Sequence, residues 1–153
     1  MKVNKDDIAN MDRVKRLKLI NSVTGIKPAN LIATRNNNGE TNVAIFSSVI
    51  HLGSNPPLLG FIMRPTGDVP RNTFNNIKET GHYTINHVHP DFIERAHYTS
   101  TKFPSEVSEF DICSLTEQYI DPYKVPFVKE SNFKMALELK ETIEITINNT
   151  ILV

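Results

Sequence analysis

Apolar residues recur along this chain at two different periods, and the period changes wherever Gly, Pro and Asn cluster. Ile8, Met11, Val14 and Leu17 are spaced by three residues, and Leu19 and Ile20 widen the same apolar face. This spacing predicts one amphipathic helix over residues 5–20, opened by Asp6 or Asp7 as its cap. Pro28, just beyond Thr24-Gly25, prevents the helix from continuing. Strands are then predicted at 29–34 and 42–49, joined through Asn36–Gly39, because Asn38-Gly39 tolerates the positive φ a hairpin needs. Asn55-Pro56-Pro57 forces an extended turn, and the unbroken apolar run 58–63 predicts one buried strand.

A helix is predicted over 69–80, with Pro70 in its first turn, Phe74 and Ile77 inward, and Gly81 as its stop. A strand over 82–88 and a short helix over 90–98 follow. Residues 99–125 are rich in Ser, Glu, Asp, Pro and Tyr and lack a period. They predict a long ordered loop with one helical turn near 115–119. Strands at 133–139 and 143–147 complete the pattern, with Asn148-Asn149 as a turn. Short strands separated by turn signals predict a mainly β, barrel-like domain decorated by short helices. Residues 150–153 read as the opening of a strand with nothing after it, so the expectation is a single domain, 1–153, cut within a C-terminal strand. Such a cut leaves backbone N–H and C=O groups unpaired.

Composition narrows the function classes. With 153 residues the chain fits one domain with a real core. Seventeen basic residues balance 17 acidic ones, so no basic excess recruits nucleic acid or an anionic membrane. Cys113 is the single cysteine, which permits no internal disulfide and fits a reducing compartment; no signal-like or membrane-spanning run appears. The expectation is a soluble cytoplasmic protein. His87-x-His89 would share a strand face, but no recognisable spacing joins the pair to further ligands, and no metal site is expected. Nothing near Cys113 lowers a thiol pKa, and Gly-x-Ser-x-Gly, Gly-x-Gly-x-x-Gly and Walker sequences are absent.

The chemistry concentrates between residues 42 and 102. Arg71 and Thr73 stand at a predicted helix start, where a guanidinium fork and N-terminal N–H groups suit a phosphate. Ser47 and Ser48 can donate hydroxyl hydrogen bonds without blocking a flat ring, and backbone amides at 42–45 can serve a ring's polar edge.

The order of these pieces resembles the flavin reductase-like family, over roughly residues 8–153. Ser54-Asn55-Pro56-Pro57-Leu58 is similar to its polar-Pro-Pro-hydrophobic signature, and Gly81 to Asn86 to its Gly-x-Phe-x-Val-Asn strand. The resemblance implies an FMN-binding split β-barrel, a homodimer with FMN at or near the subunit interface. It places Asn42, Val43, Ala44 and Ile45 along the isoalloxazine edge, and Ser47 and Ser48 near the ribityl chain and phosphate. Arg71, Asn72 and Thr73 fall at the phosphate. Asn86 falls on the family's strand, and Ser100 and Lys102 on a stretch that reaches the cofactor, Lys102 as a second cation. Ser108–Asp111 resembles a loop at the site's mouth, where its aromatic and carboxylates fix the loop. The implied activity is reduction of flavin or another acceptor by NAD(P)H through bound FMN, with no catalytic side chain. A non-catalytic, flavoredoxin-like FMN electron-transfer protein is the alternative.

Overall fold

The computed structural model describes residues 2–65, 71–104 and 107–153. Helices α1 (Lys5–Ala9) and α2 (Arg13–Ser22) come first. The single helix expected here is broken, because polar caps beat the apolar period. Asn4 and Asp7 form a reciprocal capping box on α1, and Asp12 accepts from the Val14 and Lys15 amides to start a new helix. Strands β1 (Asn30–Arg35) and β2 (Thr41–Phe46) form the expected hairpin, with Gly39 at φ 92° in its turn. β3 (Ile50–Ser54) and β4 (Pro57–Gly60) form a second hairpin around a cis Asn55–Pro56 bond, and β5 (Ile62–Met63) follows.

The run 58–63 is therefore two strands in two sheets. Gly60 marks the change of partner. A Cβ there would meet Leu52 Cδ1 at 2.9 Å, Leu152 Cδ1 at 3.0 Å and the Val153 carbonyl oxygen at 3.2 Å. Glycine lets the chain pass between the two layers.

Helix α3 (Asn72–Thr80) ends as expected at Gly81, which is left-handed at φ 74°. Val69 and Pro70, the expected start of that helix, lie outside the described residues. β6 (His82–His87), a 3₁₀ turn over Pro90–Phe92 and α4 (Ile93–Tyr98) come next. Within 99–125 the helical turn lies earlier than the sequence suggested, as α5 (Glu109–Ile112). Ser108 caps it, and buried Phe110 anchors it. The remaining strands are β7 (Glu117–Gln118), β8 (Phe127–Val128), β9 (Lys134–Glu138), β10 (Ile143–Ile145) and β11 (Thr150–Leu152).

The fold is mainly β with short helices. A four-stranded antiparallel sheet runs β2-β1-β6-β9, a second runs β10-β11-β5, and two short hairpins pair β3 with β4 and β7 with β8. Among the described residues these sheets do not close into one hydrogen-bonded cylinder. β11 is paired on both sides, and Val153 exchanges two 3.0 Å backbone bonds with Phe61.

β1 is buried on both faces, so its alternate residues feed two cores. Leu31 and Ala33 pack with Val43, Phe92, Phe110 and Val128 under α4 and α5; Ile32 packs with Phe61, Phe74, Ile77 and Ile85 under α3. β2, the outer strand of the four, passes between these two helical layers.

Candidate functional site

The register of β2 leaves part of its backbone unpaired. The Val43 N–H faces Glu109 Oε2 at 3.4 Å and is thus turned away from β1. By the alternation of antiparallel pairing, the N–H and C=O groups of Thr41, Val43 and Ile45 line the outer edge. Asn42 and Ala44 bond inward to β1. Of the segment 42–45, only the Val43 carbonyl and the Ile45 backbone thus remain for a ligand at this edge, since the Val43 N–H is taken by Glu109 and Asn42.

Asn42 is buried, and its amide is assigned from its neighbours. Its nitrogen donates to Glu109 Oε2 at 3.2 Å, while its oxygen accepts from Thr73 Oγ1 at 2.9 Å and the Val43 N–H at 3.1 Å. One side chain thereby ties β2 to α3 and α5. Burial raises the Glu109 carboxyl above the ordinary glutamate range, partly opposed by backbone N–H groups. Sequence reading gave Glu109 only a loop-fixing role, and no local spacing signals a contact across 66 residues of chain.

Arg71 is the N-cap residue of α3 and makes no side-chain cap, so the helix's first amides have no capping side chain. Its Nη2 donates to the Pro65 carbonyl at 3.4 Å. Its Nε is buried and has no hydrogen-bond partner among the described residues. A buried guanidinium N–H without an acceptor is costly unless a ligand supplies one. Asn72 lies half-buried in the first turn. Thr73 points its hydroxyl inward to Asn42, which leaves its backbone N–H for a ligand at the helix start.

Ser48 staples the neighbouring strand: its Oγ accepts from the Ile62 N–H at 3.0 Å and donates to the Ile62 carbonyl at 3.3 Å. The segment 62–65 so joins Ser48 at one end to Arg71 at the other. Ser47 is exposed beside it.

The other expected residues are less convergent. Asn86 is fully buried and entirely engaged: Nδ2 donates to the Leu31 carbonyl at 3.1 Å and Thr84 Oγ1 at 3.0 Å, and Oδ1 accepts from the Val128 N–H at 2.9 Å. It holds β1, β6 and β8 together and leaves no polar group for a cofactor. Ser100 and Lys102 are exposed. Lys102 adjoins Phe103, which like Ile45 packs against the Leu31 core, on the face of β2 opposite α3. Arg71 and Lys102 therefore stand on the two sides of the outer strand. Two open surface depressions lie elsewhere, one between α1 and α2 and one around Arg35, His82 and Tyr123. Burial and the Glu109 charge both push the Cys113 thiol up, away from nucleophilic chemistry.

Residues 26–153 match the model of the flavin reductase like domain. The chain belongs to the flavin reductase-like family. An uncharacterised protein of Halalkalibacterium halodurans is 27% identical over 146 residues, covering 95% of this chain and 68% of its own length. A crystal structure from Shewanella frigidimarina, of a protein assigned as a flavin reductase with a split barrel domain, superposes with a TM-score of 0.94. It is 46% identical and covers 99% of this chain and 75% of that one. The FMN-binding domain of a flavin reductases-like enzyme from Shewanella baltica shares the fold, at TM-score 0.64 and 16% identity over 82% of this chain and 64% of that one. These likenesses support an oxidoreductase-type flavoprotein fold. No helix among the described residues is long and apolar enough to cross a membrane.

Proposed function

We propose that this chain binds FMN and uses it to pass electrons from NAD(P)H to free flavin or another acceptor. The observation that carries the reading is the buried Nε of Arg71, which has no partner among the described residues, at a start of α3 that Arg71 does not cap. A phosphate is the group that such a donor set fits, since it accepts from a guanidinium and from helix N-terminal amides together. Bound FMN supplies the redox chemistry.

The chain's own residues bind and orient. Arg71, with the backbone amides of Asn72 and Thr73, holds the phosphate, and Ser47 and Ser48 flank the ribityl chain. The Val43 carbonyl and the Ile45 backbone meet the polar edge of the ring, and Lys102 adds a mobile positive charge from the opposite face. No side chain is assigned as acid or base. The ring would lie along an exposed strand edge, which fits closure by a second subunit and a homodimeric holoprotein.

Anaerobic mixing of the FMN-loaded protein with NADH and with NADPH tests the reading. Rapid bleaching of the flavin absorbance by at least one nicotinamide is expected. Flavin that stays oxidised with both would leave an FMN protein that is not a nicotinamide-dependent reductase.

A further inference from the structure

Residues 2–27 stand apart from the domain that follows. None of α1 or α2 is buried, and neither core contains a residue from this stretch. Every described side-chain hydrogen bond of residues 2–27 stays within the stretch. Yet α2 carries large apolar side chains into solvent: Val14 is 57% exposed, Leu17 50% and Ile20 46%, with Val23 and Ile26 beyond its end. A ten-residue helix is marginal in water without packing, whatever its caps. Something must cover this face. Most of the arm, residues 2–25, also lies outside the span matched by the family model.

Charge identifies the cover. Residues 2–27 hold seven Lys and Arg against three Asp, a net of +4. The whole chain is neutral, so residues 28–153 carry the balancing negative charge. Part of it lies at 109–121, a run with no Lys or Arg in which Asp111 and Asp121 are exposed and Glu117 is half-buried, Glu109 being turned inward to Asn42. The same segment exposes Ile112, Tyr119 and Ile120. Thr41 Oγ1 contacts both Ser108 and Glu117, which brings the start of α5 beside β7. A basic arm with an apolar stripe therefore has its complement, acidic with apolar side chains, on another part of the same sequence. No hydrogen bond or ion pair among the described residues joins the two within one chain.

We propose that residues 2–27 form an exchanged arm that packs on the 109–121 surface of a second copy of this chain. Reciprocal exchange gives each copy one arm and one acceptor surface and closes as a two-fold dimer. Gly25, left-handed at φ 80°, turns the chain between arm and domain. The apolar contact supplies affinity and the opposite charges select the partner. This inference does not depend on flavin.

The test mixes heavy-isotope and light-isotope copies of the full chain and joins Lys to carboxylates with a zero-length carbodiimide. Mass spectrometry reads which copies are linked. Heavy–light links from Lys15 or Lys18 to Asp111, Glu117 or Asp121 are expected, in a species that sediments as a dimer. Leu17→Asp should reduce those links by about tenfold or more, as for loss of an apolar anchor. Lys15→Glu with Lys18→Glu, which removes the linking amines themselves, is read by sedimentation and should shift the dimer toward monomer, and adding Asp111→Lys with Asp121→Lys should restore the dimer. Links confined to one isotope would overturn the proposal. So would a monomer, or a chain whose arm is protected from hydrogen exchange only by added RNA or by anionic phosphatidylserine vesicles. Flavin binding measured on the same samples reports the cofactor reading separately.

Discussion

Glu109 shows how one side chain can be stabilising in geometry and destabilising in charge. Its carboxylate orders Asn42 and the Val43 N–H, yet burial raises its pKa above the ordinary glutamate value. With a raised pKa the native state holds the proton more tightly than the unfolded chain. Stability therefore falls as pH rises from the ordinary glutamate range through the raised value, and is flat beyond it. Glu109→Gln keeps an acceptor without the charge. It should unfold at higher urea than the parent at neutral pH and lose the fall across that window; an unchanged pH profile would remove Glu109 as its source. On the ligand side, Lys102→Ala should weaken FMN binding less than Arg71→Ala, because an exposed lysine offers a point charge where Arg71 offers a fork. Flavin titrations of the two variants check the order. The sequence made Arg71 legible through its place at a helix start. It could not show that the Thr73 hydroxyl faces Asn42, or that Asn86 is consumed in the core, because those partners lie 31 and 42 residues away.

Elements with strong local signals were read correctly, and elements made by distant pairing were not. The Asn38-Gly39 hairpin, the Gly81 stop and the helix opened by Pro90-Asp91 rest on residues within one turn of each other. The helix over 5–20 failed because Asp12 captures two amides and restarts the chain. The strand over 58–63 failed because its two halves answer to different neighbours, β3 and β11. β7 and β8, at two residues each, rest on each other and on distant side chains: Asn86 accepts the Val128 N–H, and Lys134 donates to Gln118 and to the Val128 carbonyl. Asn86→Ala would strand that N–H in a dry interior and remove the amide's bonds to the Leu31 carbonyl and the Thr84 hydroxyl, which keeps its own bond to the Pro126 carbonyl. It should cost about 2–4 kcal/mol, the range for breaking a buried polar network, read as a lower urea midpoint at unchanged slope. An unchanged midpoint would mean that β8 is not held by Asn86.

At the scale of the whole molecule, the antiparallel four-stranded sheet sets α3 on one side of β2 and α4 and α5 on the other. This edge strand then sets the Ile45 backbone beside Arg71, whose buried Nε has no acceptor among the described residues. Sequence order alone suggested a flavin-binding family, and the family match agrees with that. The proposed reading divides the labour: phosphate at Arg71, ring at the edge of Val43 and Ile45. That division is tested most directly by titrating FMN and riboflavin, which differ by the phosphate, into the parent protein and into Arg71→Ala. The account predicts that the parent binds FMN well above riboflavin. Arg71→Ala should lose about tenfold to a hundredfold in FMN affinity, the scale of a charge-assisted contact, and keep its riboflavin affinity. Equal affinity of parent and variant for FMN, with the fold intact by circular dichroism, would contradict it.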